Sequence, residues 1–108
     1  MDTSVRVLLV DDEPGIRHVL GALIRDFGYD VHTAESAREA LEAFTANPFP
    51  IVVTDIRMPG MDGLELVERA MALLKEKKLP FGREKFNVSI PRRRSVFRRG
   101  IVLFRPTQ

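Results

Sequence analysis

The sequence contains no cysteine, which excludes a disulfide framework and any metal site built on thiolates. It also lacks an apolar run of about 20 residues, the length that a membrane-spanning helix requires. The pattern of a secretory signal, a positive N-terminus followed by a shorter apolar run, is missing as well. We therefore expect a cytoplasmic protein with no membrane partner.

What the sequence does contain is an ordinary globular mixture with a marked charge asymmetry. Its 108 residues, 44% of them hydrophobic and 30% charged, fit a single domain with one core. Residues 1–74 hold 6 Arg and 13 Asp or Glu, a net charge of −7, whereas residues 75–108 hold 11 Lys or Arg and 2 Glu, a net charge of +9. The two parts therefore need separate interpretations.

Hydrophobic patterns in residues 1–74 predict three strands, each followed by a helix. The strands are short apolar runs at residues 5–10, 30–34 and 51–54. The helices have apolar residues at helical spacing and span residues 14–27, 36–46 and 62–74. Strands that alternate with helices over short connections indicate an α/β fold, with a parallel sheet and helices on both of its faces.

The basic segment after residue 74 has weaker patterns, and two arrangements fit it. Residues 85–90 and 101–104 are predicted as short strands separated by a helix or turn at residues 91–99. Alternatively, residues 95–97 and 101–104 form a hairpin that turns at residues 98–100.

Acidic residues gather where two of the predicted parallel strands end. Asp11 and Asp12 follow the first strand, and Asp55 follows the third. In an open parallel sheet, binding sites form outside the carboxyl ends of the strands. Clustered carboxylates repel one another, so a bound divalent cation is the simplest arrangement, and all-oxygen ligands favour Mg²⁺. A carboxylate at such a site is also able to act as a nucleophile toward a phosphoryl group.

Two segments carry a family resemblance: residues 7–13, VLLVDDE, and residues 53–63, VTDIRMPGMDG. Together, at this spacing, they resemble the receiver domains of bacterial two-component response regulators, which are CheY-like. The resemblance covers residues 1–74 and implies a flavodoxin-like, doubly wound (βα) parallel sheet. It places the change from the family pattern after the third βα unit, within a single receiver-like domain of residues 1–108.

The resemblance also implies roles for individual residues. Asp55 would be the phosphoacceptor, with a sensor histidine kinase as the phosphoryl donor. Asp12, Asp55 and the backbone carbonyl of Arg57 would bind Mg²⁺ directly, and Asp11 would do so directly or through water. Pro59 and Gly63 would shape the loop after Asp55 through their backbone angles. Such a protein is not an enzyme, beyond assisting its own phosphorylation and dephosphorylation, and its output domain or effector lies outside this chain.

Receiver domains also use a Ser or Thr and a Lys to couple phosphorylation to a surface change. The candidates here are Ser89 and Arg105, and Arg replaces Lys poorly at a tight site. This departure supports an alternative hypothesis, in which half a receiver acts as a non-switching assembly or interaction module. Its sheet edge would be completed by a second copy in a segment-exchanged homodimer.

The Arg-rich tail suggests a third hypothesis, binding to the phosphate backbone of nucleic acid. It rests on Arg92, Arg93, Arg94, Arg98 and Arg99. Neither an aromatic stacking ladder nor a DNA-binding helix accompanies them. We therefore favour a face that is solvated or that pairs with the acidic half of the same or a neighbouring molecule.

Overall fold

Residues 6–76 fold as three strand–helix units. The structure, a computed structural model, describes residues 4–90 and 96–105. The strands of these units are β1 (Arg6–Val10), β2 (Asp30–Ala34) and β3 (Ile51–Asp55), and the helices are α1 (Pro14–Asp26), α2 (Ala37–Ala46) and α3 (Gly63–Glu76). All six predicted elements are confirmed, and their ends differ from prediction by two residues at most.

Side-chain caps explain where α2 and α3 begin, and a glycine turn follows α1. The Glu39 N–H donates to Ser36 Oγ over 3.1 Å at the start of α2, and the Glu65 N–H donates to Asp62 Oδ1 over 2.8 Å at the start of α3. Each bond satisfies a backbone donor that has no partner inside its helix. After α1 the chain turns at Gly28, whose φ of +93° suits glycine far better than other residues.

The remaining two strands are β4 (Gly82–Ile90) and β5 (Val96–Phe104), and they complete a five-stranded sheet of order β2-β1-β3-β5-β4. β1 pairs in parallel with β2 and β3, whereas β5 is antiparallel to both β3 and β4. β4 therefore runs in the same direction as β3, and β5 returns between them. The connection at residues 91–95 is too short for the crossover that a parallel β5 would need.

This hairpin settles the two arrangements predicted for the basic segment. The strands predicted at residues 85–90 and 101–104 are confirmed, although both are longer than expected. The alternative hairpin that turns at residues 98–100 is wrong, because those residues lie within β5. A helix over residues 96–99 is wrong for the same reason. The remainder of that predicted helix or turn, residues 91–95, lies outside the described residues.

The two faces of the sheet are covered differently. One face packs against α2 and α3, where Leu8, Val52 and Leu103 from the sheet meet Phe44 and Leu66 from the helices. The other face carries α1, which packs mainly on β1 and β2. The α/β architecture predicted for residues 1–74, with helices on both faces, is confirmed. The antiparallel β4–β5 hairpin is the altered part.

Candidate functional site

The candidate site lies at the edge of the sheet where β1 and β3 end. Val10 pairs with Thr54 in the parallel register, so the next residues, Asp11 and Asp55, reach the same edge. One carboxylate oxygen from each of Asp11, Asp12 and Asp55 lies within 4.8 Å of the others. The structure therefore brings together the three acidic residues that the sequence pointed to.

Burial distinguishes these three carboxylates. Asp11 is 2% exposed and Asp55 is 7% exposed, whereas Asp12 is open to solvent. Negative groups held this close in a buried setting are stabilised by a cation. The donor set consists of oxygens without Cys or His, the type that hard cations such as Mg²⁺ prefer, and the exposed side leaves room for retained water. The residues therefore fit a magnesium ion.

Backbone contacts hold the loop after β1 in place. The Glu13 N–H donates to Asp11 Oδ1 over 2.9 Å, which orients the buried carboxylate. The Glu13 carboxylate accepts the N–H groups of Gly15 and Ile16 at 3.0 Å each and so caps α1. Arg17 Nη1 then donates to the Asp11 carbonyl over 2.8 Å. No motif in the sequence indicated this role of Arg17.

The end of β3 is fixed in a similar way. The Thr54 hydroxyl donates to the Asp55 carbonyl over 2.9 Å, and Thr54 is itself buried. The Arg57 N–H lies 3.4 Å from Asp55 Oδ1, a long hydrogen bond. Beyond it, a cavity of about 510 Å³ is lined by Arg57, Met58, Pro59 and other residues of the same loop. The role of the Arg57 carbonyl as a metal ligand stays a prediction.

Gly63 shapes this loop for a different reason than expected. Among the described glycines only Gly28 and Gly60 have positive φ angles, so permissive φ does not explain Gly63. A Cβ at Gly63 would instead lie 2.0 Å from the Asp55 carbonyl oxygen. The Gly63 N–H also donates to the Ile56 carbonyl over 2.9 Å. The first residue of α3 is thus pressed directly against the backbone of the candidate acceptor.

Of the two coupling candidates, Arg105 is not brought to the site. β5 is antiparallel to β3 and Ile51 pairs with Phe104, so Arg105 lies at the opposite end of β3 from Asp55. There its N–H donates to the Pro50 carbonyl over 2.9 Å. The proposed match to the family's Lys is therefore corrected. Ser89 lies in the second half of β4, and its side chain is outside the described atoms.

The strand beside Asp55 presents a wall that sequence analysis did not find. Asp55 pairs with Gly100 of β5, and the ring of Phe86 lies over Gly100. A Cβ at Gly100 would lie 2.3 Å from that ring and 2.7 Å from the Thr54 carbonyl oxygen. The antiparallel return of β5 thus places a glycine and an aromatic ring beside the acidic cluster. This pairing depends on strand order, which local patterns do not show.

Two further expectations from the sequence concern nucleic-acid binding and the membrane. Arg92, Arg93 and Arg94 lie outside the described residues, as does the side chain of Arg98, while Arg99 is exposed. The nucleic-acid hypothesis therefore stays a prediction. Within residues 4–90 and 96–105, no helix has the length and apolar character needed to span a bilayer.

Comparison with known sequences points to one family. A family model described as "Response regulator receiver domain" matches residues 7–79. The C4-dicarboxylate transport transcriptional regulatory protein DctD of Rhizobium meliloti is 40% identical over 73 residues, which are 68% of this chain and 16% of that protein. The transcriptional regulatory protein FixJ of Bradyrhizobium diazoefficiens is 36% identical over 67% of this chain and 35% of its own length. This chain therefore spans only a minor part of these relatives.

Solved structures agree with the sequence comparison. The chemotaxis protein CheY4 of Vibrio cholerae matches with a TM-score of 0.64 and 35% identity, covering 69% of this chain and 62% of that one. The response regulator protein TrrA of Thermotoga maritima, in complex with Mg²⁺-BeF, matches with a TM-score of 0.61 and 42% identity over 68% of this chain and 62% of its own. TrrA also matches, with a TM-score of 0.60, in its complex with the histidine kinase ThkA.

Proposed function

Because this chain belongs to the response regulator receiver domain family, we propose that Asp55 accepts a phosphoryl group from a sensor histidine kinase. The observation that carries the proposal is the cluster of Asp11, Asp12 and Asp55 oxygens within 4.8 Å at the carboxyl edge of the sheet. The ThkA–TrrA complex among the structural matches supports a kinase as the donor.

In the proposed reaction, a carboxylate oxygen of Asp55 attacks phosphorus. The bond from phosphorus to the nitrogen of a phosphohistidine breaks in line, which produces an acyl phosphate and leaves a neutral imidazole after proton uptake. Bound Mg²⁺ would supply charge compensation for the incoming phosphoryl oxygens. Asp55 is the last residue of β3, and its backbone carbonyl accepts the Thr54 hydroxyl and lies directly against Gly63.

The two acidic residues after β1 have separate parts in this proposal. Asp11 is buried and its carboxylate accepts the Glu13 N–H, so it would supply fixed negative charge to a cation bound beside Asp55. Asp12 is exposed and available as a direct ligand on the solvent side. Together with Asp55 and the Arg57 carbonyl, they would hold a Mg²⁺ ion through oxygen ligands, the type that this hard cation prefers.

The proposal describes a phosphorylated signalling protein in the cytoplasm rather than an enzyme with its own substrate. At most the chain assists its own phosphorylation and dephosphorylation. The output domain or effector is proposed to lie outside residues 1–108, since relatives such as DctD are much longer than the matched segment. The coupling of phosphorylation to that output is not assigned to Arg105, which lies at the far end of β3.

The test is incubation with acetyl phosphate and Mg²⁺, followed by intact mass measurement. We expect one phosphoryl adduct on the unaltered chain and none on Asp55→Asn, which keeps the shape of the side chain but removes its nucleophilic carboxylate. Chelation of the metal with EDTA should abolish the adduct. An adduct that survives in Asp55→Asn, or no adduct on a folded unaltered chain, would contradict the proposal.

Two matched variants separate the metal site from the fold. Asp12→Asn should weaken Mg²⁺ binding and slow labelling, because it removes an exposed charge without disturbing the core. Glu42→Gln changes another exposed carboxylate, on α2 and away from the site, and should label like the unaltered chain. Equal labelling of all three proteins would remove Asp12 from the proposed site.

A further inference from the structure

Three residues form one row across the sheet beside the candidate site. Asp55 of β3 pairs with Gly100 of β5, and Gly100 pairs with Phe86 of β4. Residues that pair directly lie on the same side of a sheet, and successive residues of a strand alternate between its sides. Because Ile101 joins the core with α2 and α3, Gly100 and its two partners lie on the α1 side. Asp55 and Phe86 therefore share one side of the sheet, with a glycine between them.

The glycine in the middle of the row brings the ring of Phe86 close to Asp55. A Cβ at Gly100 would overlap Cζ at the tip of that ring, so the ring tip occupies the place of the missing side chain. The Ile56 N–H donates to the Arg99 carbonyl over 3.0 Å, which makes Asp55 and Gly100 the closer, non-hydrogen-bonded kind of antiparallel pair. The ring tip therefore lies beside Asp55 as a directly opposite side chain would.

The ring and the carboxylate also line the same small cavity. Its volume is about 10 Å³, and its apolar walls include Leu9, Leu20 and Val53. A space of this size is at the lower limit for a single water molecule. Asp55 is only 7% exposed although it is the last residue of its strand. α1 packs mainly on β1 and β2, so among the described residues the side chain that closes the cavity toward β4 is that of Phe86.

We propose that Phe86 shields the phosphoryl group on Asp55 from water on the β4 side and thereby lengthens the lifetime of the acyl phosphate. The inference rests on the proposed function, since it concerns the product of that reaction. In the hydrolysis that Phe86 slows, a water oxygen bonds to phosphorus and the bond from phosphorus to the Asp55 oxygen breaks. The Asp55 carboxylate is restored, and dihydrogen phosphate leaves with both protons of the water. An apolar ring offers water no hydrogen bond, so it keeps this side of the site dry.

A second pair of phenylalanine and glycine separates this role from a purely structural one. An aromatic ring that lies over a glycine can stabilise a sheet without any effect on chemistry. Phe104 pairs with Gly82, and a Cβ at Gly82 would lie 2.6 Å from the tip of the Phe104 ring. Phe104 also pairs with Ile51, at the opposite end of β3 from Asp55. The rings of Phe86 and Phe104 therefore match in structure and differ in whether they lie beside Asp55.

The test is the decay of the phosphoryl adduct after labelling with acetyl phosphate and Mg²⁺ and removal of the reagent by desalting. Intact mass measured over time gives the lifetime of the adduct, and circular dichroism verifies that each variant is folded. We expect Phe86→Ala to lose the adduct several-fold faster than the unaltered chain. Phe104→Ala, the matched control, should lose it at the unaltered rate. Phe86→Met, whose side chain is similar in bulk and fills irregular gaps, should keep most of the lifetime.

If Phe86→Ala does not fold, Phe86→Val decides, because valine suits a strand and lacks the ring. An unchanged lifetime in the folded variant without the ring would overturn the inference, as would an equal shortening in Phe104→Ala. A lifetime of Phe86→Met as short as that of the variant without the ring would also overturn it. These outcomes leave the proposed function standing, since an adduct forms in all of them. An unaltered chain that takes no adduct would overturn the proposed function and this inference with it.

Discussion

The three strand–helix units and the β4–β5 hairpin share one sheet but contribute to it differently. The units are acidic, parallel and joined by helices, and they supply Asp11, Asp12 and Asp55. The hairpin is basic and antiparallel, and it supplies Ile101 and Leu103 to the core and Gly100 beside Asp55. The first region therefore assembles the carboxylate cluster, while the second completes the core without bringing Arg105 to the site.

The comparison shows that the proposed phosphoacceptor site and the residues that would couple phosphorylation to a response depend on different parts of the fold. The carboxylates lie together because β1 and β3 are parallel neighbours, a relation set within the first 55 residues. A basic residue that ends the last strand would reach the same edge only if that strand were parallel. In this chain its direction is reversed, so the proposed acceptor is retained and the coupling residue is displaced.

The largest expected effect tests whether the hairpin is a full part of the core. Leu103 is 1% exposed and pairs with Val52 in the middle of the sheet. Leu103→Ala should lower the free energy of unfolding by about 2–5 kcal/mol, as buried Leu truncations do. Leu66→Ala on α3 is the matched control and should cost a similar amount, since Leu66 is equally buried.

Urea denaturation followed by circular dichroism measures both variants. Equal losses would show that the hairpin and the strand–helix units unfold together. The contrary result is that Leu103→Ala lowers the free energy of unfolding by less than about 0.5 kcal/mol, the range of ordinary surface changes, while Leu66→Ala lowers it strongly. That result would mean that the hairpin is only loosely attached to the strand–helix units.

The next effect concerns Gly63, where α3 meets the proposed acceptor. Gly63→Ala should destabilise the chain by about 3 kcal/mol, because the new methyl group would overlap the Asp55 carbonyl oxygen and the backbone must move. Labelling by acetyl phosphate should slow as well, since Asp55 shifts with its backbone. Gly28→Ala tests the other reason for glycine, a φ of +93° with nothing within 4 Å of the added group.

Thermal unfolding and intact mass measurements separate the two glycines. Gly28→Ala should lose stability through backbone strain of about 1 kcal/mol and keep its labelling rate. If Gly63→Ala folds and is labelled at the normal rate, the close approach of α3 to Asp55 does not affect phosphorylation.

A smaller effect is expected at the start of α2. Ser36→Ala removes the oxygen that accepts the Glu39 N–H over 3.1 Å, and it should cost about 1 kcal/mol in thermal unfolding. Ser36→Asp keeps an acceptor at this position and should restore most of the loss. A Ser36→Ala protein as stable as the unaltered one would show that the cap predicted from sequence contributes little.

Local chemistry explains how much of this structure could be predicted. Signals that lie within a few residues of sequence predicted the six elements and the three carboxylates correctly. Examples are the caps Ser36 and Asp62 and the apolar strand before Asp55. The direction of β5 was missed because it depends on the short link at residues 91–95 and on the space left beside β3. Nothing local in the sequence around Gly100 indicates that it will neighbour Asp55.

The smallest expected effect on phosphorylation is the one that most sharpens the comparison. Arg105 lies at the end of β3 opposite Asp55, where its Nη2 is 3.4 Å from the Pro48 carbonyl. Its Nε is buried without a hydrogen-bond partner among the described residues. Arg105→Lys should therefore leave the rate of labelling and the lifetime of the acyl phosphate unchanged, because no contact with the phosphoryl group is altered. Stability should change by less than about 1 kcal/mol, since only long or unpaired contacts are lost.

Parallel time courses of intact mass for Arg105→Lys and the unaltered chain measure the rate of labelling and the lifetime of the acyl phosphate. A several-fold change in the lifetime would mean that Arg105 does reach Asp55, and the antiparallel direction of β5 would then be wrong.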